Sequence, residues 1–268
     1  MYHGAGINRL FFTLIFDFKI LEKNKMMKMN TLALLMGLCM STLSQANFGL
    51  IQDPDGHVNV REQASVQAKI LGKLNNGEVV SWLEDDQSAN RFRFISASFP
   101  QQAGYVHDSR INPFQGFQKW SLKQSDALSA GYVLGQNHIR FKAQKAQFKA
   151  QDFKLSGQTQ GASLYRNKPF WGTDGELPTG RLQLAQIDMN FNGQKISIPA
   201  QDLQAYFIPA TPMSAGGLQD FAEAEIYSKG TDLYILNTLA SGGAAQYTLM
   251  IHIQNGKVVK IQAWQDII

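Results

Sequence analysis

The chain has 268 residues, 44% of them hydrophobic, 11% aromatic and only 17% charged, a balance that builds packed cores and excludes a disordered tail. Its formal charge of +4 is unevenly placed, because residues 1–46 hold Arg9, Lys19, Lys23, Lys25 and Lys28 against only Asp17 and Glu22. What remains is nearly neutral, 20 basic against 19 acidic side chains, which removes the clustered cations that nucleic-acid binding needs.

From Lys25 the chain reads Lys-Met-Met-Lys-Met-Asn, then the apolar stretch Thr31–Leu43, then Ser44-Gln45-Ala46 before Asn47. A basic start, a short apolar run and a small-x-small ending are the parts of a secretory signal peptide, with cleavage expected after Ala46. The run is about 13 residues, short of the roughly 20 that a bilayer-spanning helix needs, so no stable transmembrane anchor is expected. A lipidated start at Cys39 is not expected either, since Leu38 stands where such signals carry a small side chain. Residues 1–25 add a second apolar patch, Phe11–Ile20, broken by Asp17 and Lys19, which initiation at Met26, Met27 or Met29 would explain. Residues 1–46 are therefore read as an early start plus a cleaved signal, and the mature chain as exported, in the periplasm. It would hold no cysteine, so its stability is expected to rest on packed cores rather than disulfides.

The first predicted module covers residues 47–115. Asp53-Pro54-Asp55-Gly56 is a turn sequence, and Val58 and Val60 alternate with Asn59 and Arg61 in a short strand. Ile70–Leu74 and Val79–Leu83 flank Asn75-Asn76-Gly77, which predicts a tight hairpin because Asn-Gly suits a turn whose central residues both need positive φ. Phe92 and Phe94 alternate with Arg91 and Arg93, and Gly104-Tyr105-Val106 opens a last strand. Short strands at this density predict a small, strongly bent barrel. Val58-Asn59-Val60-Arg61, then Ile70-Leu71-Gly72-Lys73-Leu74, the Asn-Gly turn and Gly104-Tyr105-Val106 resemble, in order and spacing, the bacterial SH3 (SH3b) domain family. Two segments depart from its pattern, Glu62-Gln63-Ala64 and Arg91-Phe92-Arg93-Phe94. The resemblance implies a non-catalytic binding module docked on peptidoglycan or an envelope protein. Asn59, Arg61, Trp82 and Tyr105 are the candidate ligand residues, since a shallow polar-aromatic surface suits a peptide or glycan strand. The same residues also suit bracing of the first turn and closure of the barrel. His57 and His107 sit beside turns and read as exposed rather than metal-bound.

Asn112-Pro113 and Gly116 break the pattern, placing a boundary near Gln115. In residues 116–268, Leu182–Phe191, Asn192-Gly193 and Ile196-x-Ile198 predict one hairpin, and Tyr247–Ile253, Asn255-Gly256 and Val258–Ala263 predict a second. Leu233–Leu236 is a further strand, and Gly242-Gly243 marks a loop. Ile139–Leu155 repeats Phe-Lys-Ala-Gln at seven-residue spacing, as a helix would, but also alternates as strands with slips; the all-β surroundings favour strands. Its Arg140, Lys142, Lys145, Lys149 and Lys154 read as a solvated basic face. The expected fold is all-β: a small SH3-like barrel, then a larger antiparallel sandwich or open barrel.

The glycine-rich loop Phe170–Gly180 carries Trp171, Asp174 and Glu176. It fits a sugar-stacking platform or a weak calcium loop, and equally a turn whose Trp171 plugs the sandwich edge. Catalytic signatures are sparse. Without a mature cysteine there is no cysteine peptidase, His57, His107, His138 and His252 form no zinc pair, and no Gly-x-Ser-x-Gly elbow occurs. Only Asp174 with Glu176 would suit two-carboxylate glycosidase chemistry. The sequence therefore points to an exported, non-catalytic binding protein without cofactor or metal. A wall hydrolase with a catalytic C-terminal domain and a periplasmic protein scaffold are the alternatives.

Overall fold

The computed structural model describes residues 47–82, 91–97, 102–126, 128–155, 162–209, 219–239 and 245–265. The expected signal segment with Cys39 and the start methionines, the polar loop at 83–90 and Gly242-Gly243 lie outside those residues. The protein is all-β and antiparallel throughout its sheets, as its alternating and Asn-Gly-punctuated sequence predicts. No helix among the described residues is long and apolar enough to cross a membrane.

The N-terminal strands are β1 (Asn47–Ile51), β2 (His57–Arg61), β3 (Ile70–Asn75), β4 (Val79–Trp82), β5 (Phe92–Ala97), β6 (Gln102–His107) and β7 (Ile111–Asn112). They form one sheet in the order β3-β2-β6-β5-β4-β1-β7. Leu74 from one edge and Ile111 from the other enter the same core, with Ile51, Val58, Val60, Val80, Ile95 and Val106 between them. Strands about 4.8 Å apart cannot bring two distant edges together unless the sheet curls. No ladder joins β3 to β7 among the described residues, so the predicted barrel is a curled, open sheet.

The hairpin expected around Asn76-Gly77 does not form: β3 pairs with β2, and β4 with β1 and β5. Gly77 has φ +82, while Asn76 lacks the positive φ of a primed turn. The reason is Asp53. Asn76 Oδ1 accepts from the Asp53 N–H at 2.8 Å and its Nδ2 donates to the Asp53 carbonyl at 2.8 Å. The Asn76 and Gly77 N–H groups donate to the Gly56 and Ile51 carbonyls. The turn is thereby pinned to the β1–β2 loop, and the chain crosses to the far side of the sheet.

The next strands are β8 (Gln118–Lys119), β9 (Ser121–Asp126), β10 (Ser129–Leu134), β11 (Asn137–Lys145), β12 (Phe153–Leu155) and β13 (Ala162–Tyr165). After them come β14 (Leu182–Phe191), β15 (Gln194–Ile198), β16 (Glu225–Lys229), β17 (Asp232–Leu239), β18 (Tyr247–Gln254) and β19 (Lys257–Trp264). Two single-turn helices, α1 (Ala200–Leu203) and α2 (Gln219–Ala222), stand between them. β15-β14-β11-β10-β9 make an outer sheet, β19-β18-β17-β16-β8 a central one, and β12-β13 a separate ribbon. Asn192-Gly193 and Asn255-Gly256 turn the two expected hairpins, each residue at positive φ. The ambiguous segment Ile139–Leu155 is strand at both ends, with a bulge at Lys142/Ala143, but Ala150–Asp152 is a 3-10 turn where a strand was expected.

The outer and central sheets face each other across one large core that includes Ile139, Phe141, Ile187, Met189, Leu233, Ile235, Leu249 and Ile251. The opposite face of the central sheet presents Tyr234, Leu236, Met250 and Trp264 to Phe48, Leu50 and Val79 of the N-terminal sheet, with Phe114 in the same cluster. Trp264 is fully buried there, and its indole N–H donates to Ser81 Oγ at 2.8 Å. Residues Gln45–Ile268 accordingly form one compact unit of three stacked layers.

Candidate functional sites: two polar-aromatic clefts

Alternation along β2 sends Val58 and Val60 into the core and turns His57, Asn59 and Arg61 outward. There they line a cleft of about 330 Å³ with Phe92, His107, Ser109 and Arg110, whose far wall is the Asp53–Asp55 turn. Its walls are fixed locally. Arg61 Nη1 donates to the Ala68 carbonyl at 2.8 Å, holding the following loop, and Arg110 pairs with Asp53 at 3.1 Å. His107 Nδ1 lies 2.8 Å from Ser109 Oγ, and its ring meets Phe92 edge-on at 5.2 Å. Asn59 lines the cleft, and its Oδ1 is buried with no hydrogen-bond partner.

Of the four residues expected to form this surface, Asn59 and Arg61 line the cleft, and Tyr105 sits beside Arg61 in the ladder with its ring on Phe94. Trp82 does not share it. Strand alternation puts Trp82 with Val80 in the curled sheet's core at 9% exposure, under the Arg93 guanidinium at 5.4 Å.

A larger cleft, about 540 Å³, opens at the β19 edge of the central sheet. Three remote segments build it. The β13 turn brings Arg166 and Lys168, the Phe170–Gly180 loop brings Trp171, and α1 with its exit brings Asp202, Gln204 and Tyr206, over a floor that includes Ile261 and Ala263. Trp171 and Tyr206 are joined by a parallel bridge, with the Trp171 N–H on the Ala205 carbonyl and the Phe207 N–H on the Trp171 carbonyl. Gly172 permits that approach: its φ is +90, and a Cβ there would stand 1.9 Å from the Phe207 carbonyl oxygen. Trp171 is half-buried against Tyr247, ring centroids 5.9 Å apart, so it does plug the sandwich edge, while also lining the cleft.

Arg166 and Asn167 turn the chain with φ of 49 and 64, where the β14–β15 and β18–β19 hairpins use Asn-Gly. The Arg166 side chain donates to Asp152 at 2.9 Å and to Gln204, and lies over the Tyr165 ring. It thus ties the β13 turn to the α1 arm. Burial pushes the Tyr206 hydroxyl up to about 12, so it stays a neutral donor at any physiological pH. Burial also raises Tyr165, partly offset by Arg166.

Asp174 and Glu176 stand exposed on the far part of the loop and line neither cleft. Among the described residues no three His, Cys, Asp or Glu side chains gather as metal ligands. Sequence reasoning found Trp171 but missed Arg166, Lys168, Tyr206 and Gln262, whose only local signal was an arginine at a hairpin turn. No protein-family model matches the chain, nor does any curated protein sequence or solved structure.

Proposed function

We propose that this chain is an exported, non-catalytic binding protein that docks on peptidoglycan through the Asn59–Arg61 cleft of its SH3b-like N-terminal sheet. The observation that carries the reading is Asn59 Oδ1, a buried acceptor without a donor, at the base of a cleft that also offers Arg61, His57 and an aromatic wall. An acceptor without a donor gains by meeting one, stem-peptide and N-acetyl amides both supply an N–H, and a rotation of the Asn59 side chain toward the cleft would present the oxygen to it. Among the described residues Asp202 is the one carboxylate that lines the wider cleft, which supports binding over two-carboxylate hydrolysis there.

Co-sedimentation of the full chain with isolated sacculi at physiological salt tests the reading. The protein is expected to pellet, and Asn59→Ala to lower the pelleted fraction about tenfold in affinity, equivalent to one hydrogen bond lost. If the full chain stays in the supernatant, peptidoglycan docking is wrong.

A further inference from the structure

We propose that the cleft between Trp171, Tyr206 and the β19 end of the central sheet binds an uncharged carbohydrate strand, independently of the Asn59–Arg61 cleft. Four observations meet there. Trp171 and Tyr206 offer ring surface over an apolar floor, which suits the C–H faces of pyranose rings. Lys168, Asp202, Tyr206 and Gln262 line the cleft with no side-chain hydrogen bond or ion pair to any described residue, so donors and acceptors of both kinds stand unengaged. Hydroxyl groups both donate and accept, and are the ligand chemistry that such a mixture satisfies most fully.

Charge selects against ions. Arg166 is neutralised by Asp152, and Lys168 and Asp202 are the remaining lining charges and cancel formally. With no net charge in the lining an ion gains little overall attraction, and a purely apolar ligand would bury the amides without partners. An extended peptide would draw first on the β19 backbone edge, with these side chains secondary. The cleft is also organised in advance. Arg166 holds a left-handed conformation that non-glycine residues rarely take, and spends it on fixing Gln204 and the arm that carries Asp202 and Tyr206. Its volume falls within the roughly 300–1,000 Å³ typical of small-ligand sites.

Trp171 is also the natural reporter, since Trp82, Trp120 and Trp264 are only 9%, 4% and 0% exposed. Tryptophan fluorescence of the full chain would be titrated with the β-1,4-linked N-acetylglucosamine tetrasaccharide, with maltotetraose and with tetra-alanine. At least one tetrasaccharide is expected to give a saturable change. Tyr206→Phe and Gln262→Ala are each expected to weaken it about tenfold with an unchanged melting temperature, and Lys142→Ala, on the outer sheet and lining neither cleft, to leave it unaltered. Saturation by the peptide alone, no saturation with either sugar, or variants that bind as the parent does would each overturn the assignment.

Discussion

The central and outer sheets of the C-terminal half are both antiparallel and five-stranded, yet they live in different surroundings. In the outer sheet β11 alternates, with Ile139, Phe141 and Ala143 buried and His138 and Arg140 exposed. In the central sheet β17 and β18 are buried on both faces through most of their length. An antiparallel sheet covered on both sides is a spine rather than a wall: β17 and β18 belong to two cores at once. Damage to the spine should therefore reach both halves of the molecule, and damage to the outer sheet only one.

The sharpest way to break that contrast is Trp264→Ala. Its side chain is wholly buried in the core shared with Phe48, Leu50 and Val79, and the change would also free Ser81 Oγ from its indole partner. Urea denaturation should show a loss of about 3–5 kcal/mol. The same curve should follow probes in both halves; a parent-like midpoint would show that the shared core is not a core.

Alkaline titration gives an intermediate effect. Burial pushes Tyr234 up to about 12, helped by Asp232, and Tyr227 up to about 12, helped by its hydroxyl bond to Glu225; both pack at the joint between layers. In the unfolded chain a tyrosine ionises near 10, so between there and 12 the unfolded state holds fewer protons than the folded one. The stabilisation is whole below pH about 10 and is lost as the pH climbs through 12. Tyr234→Phe should flatten this alkaline slope, and a slope equal to the parent's would place the ionisation elsewhere.

The smallest effect belongs to the outer face. Lys142 pairs with Asp188 at 3.0 Å, both side chains well exposed, and Asp188 is held low because Lys142, Ser197 and Gln186 outweigh the upward push of burial. Lys142→Ala should cost no more than about 0.2–1 kcal/mol by thermal unfolding. A loss as large as that of Trp264→Ala would erase the distinction between spine and wall.

Much of the fold was legible. Asn192-Gly193 and Asn255-Gly256 turn hairpins with both residues of each pair at positive φ, whereas Asn76 spends its amide on Asp53 and so makes a different turn. The double burial of the spine was written in Leu233-Tyr234-Ile235-Leu236, four apolar residues without alternation, but an alternating reading of Tyr247–Ile253 passes over Thr248 and Met250, both buried. The boundary near Gln115 marks a turn, while Phe114 and Phe117 beside it pack into the joint. Of the wider cleft only Trp171 could be singled out, because its other walls come from segments whose proximity depends on the Arg166–Gln204 tie and on the β19 edge. The narrower cleft was more accessible to sequence, since alternation in β2 alone sets Asn59 and Arg61 side by side.

The bond from Trp264 to Ser81 spans 183 residues of sequence, and the face it closes belongs to the first strands of the curled sheet. Those strands can pair early from local contacts, but their backs are not fully covered until β19 has been made and has found its place. Contacts of such separation slow folding, because most of the loop entropy is lost before they form. A chain interrupted before β19 would lack the Trp264 cover over Phe48, Leu50 and Val79, so the arrival of β19 is the event that completes the back of the N-terminal sheet.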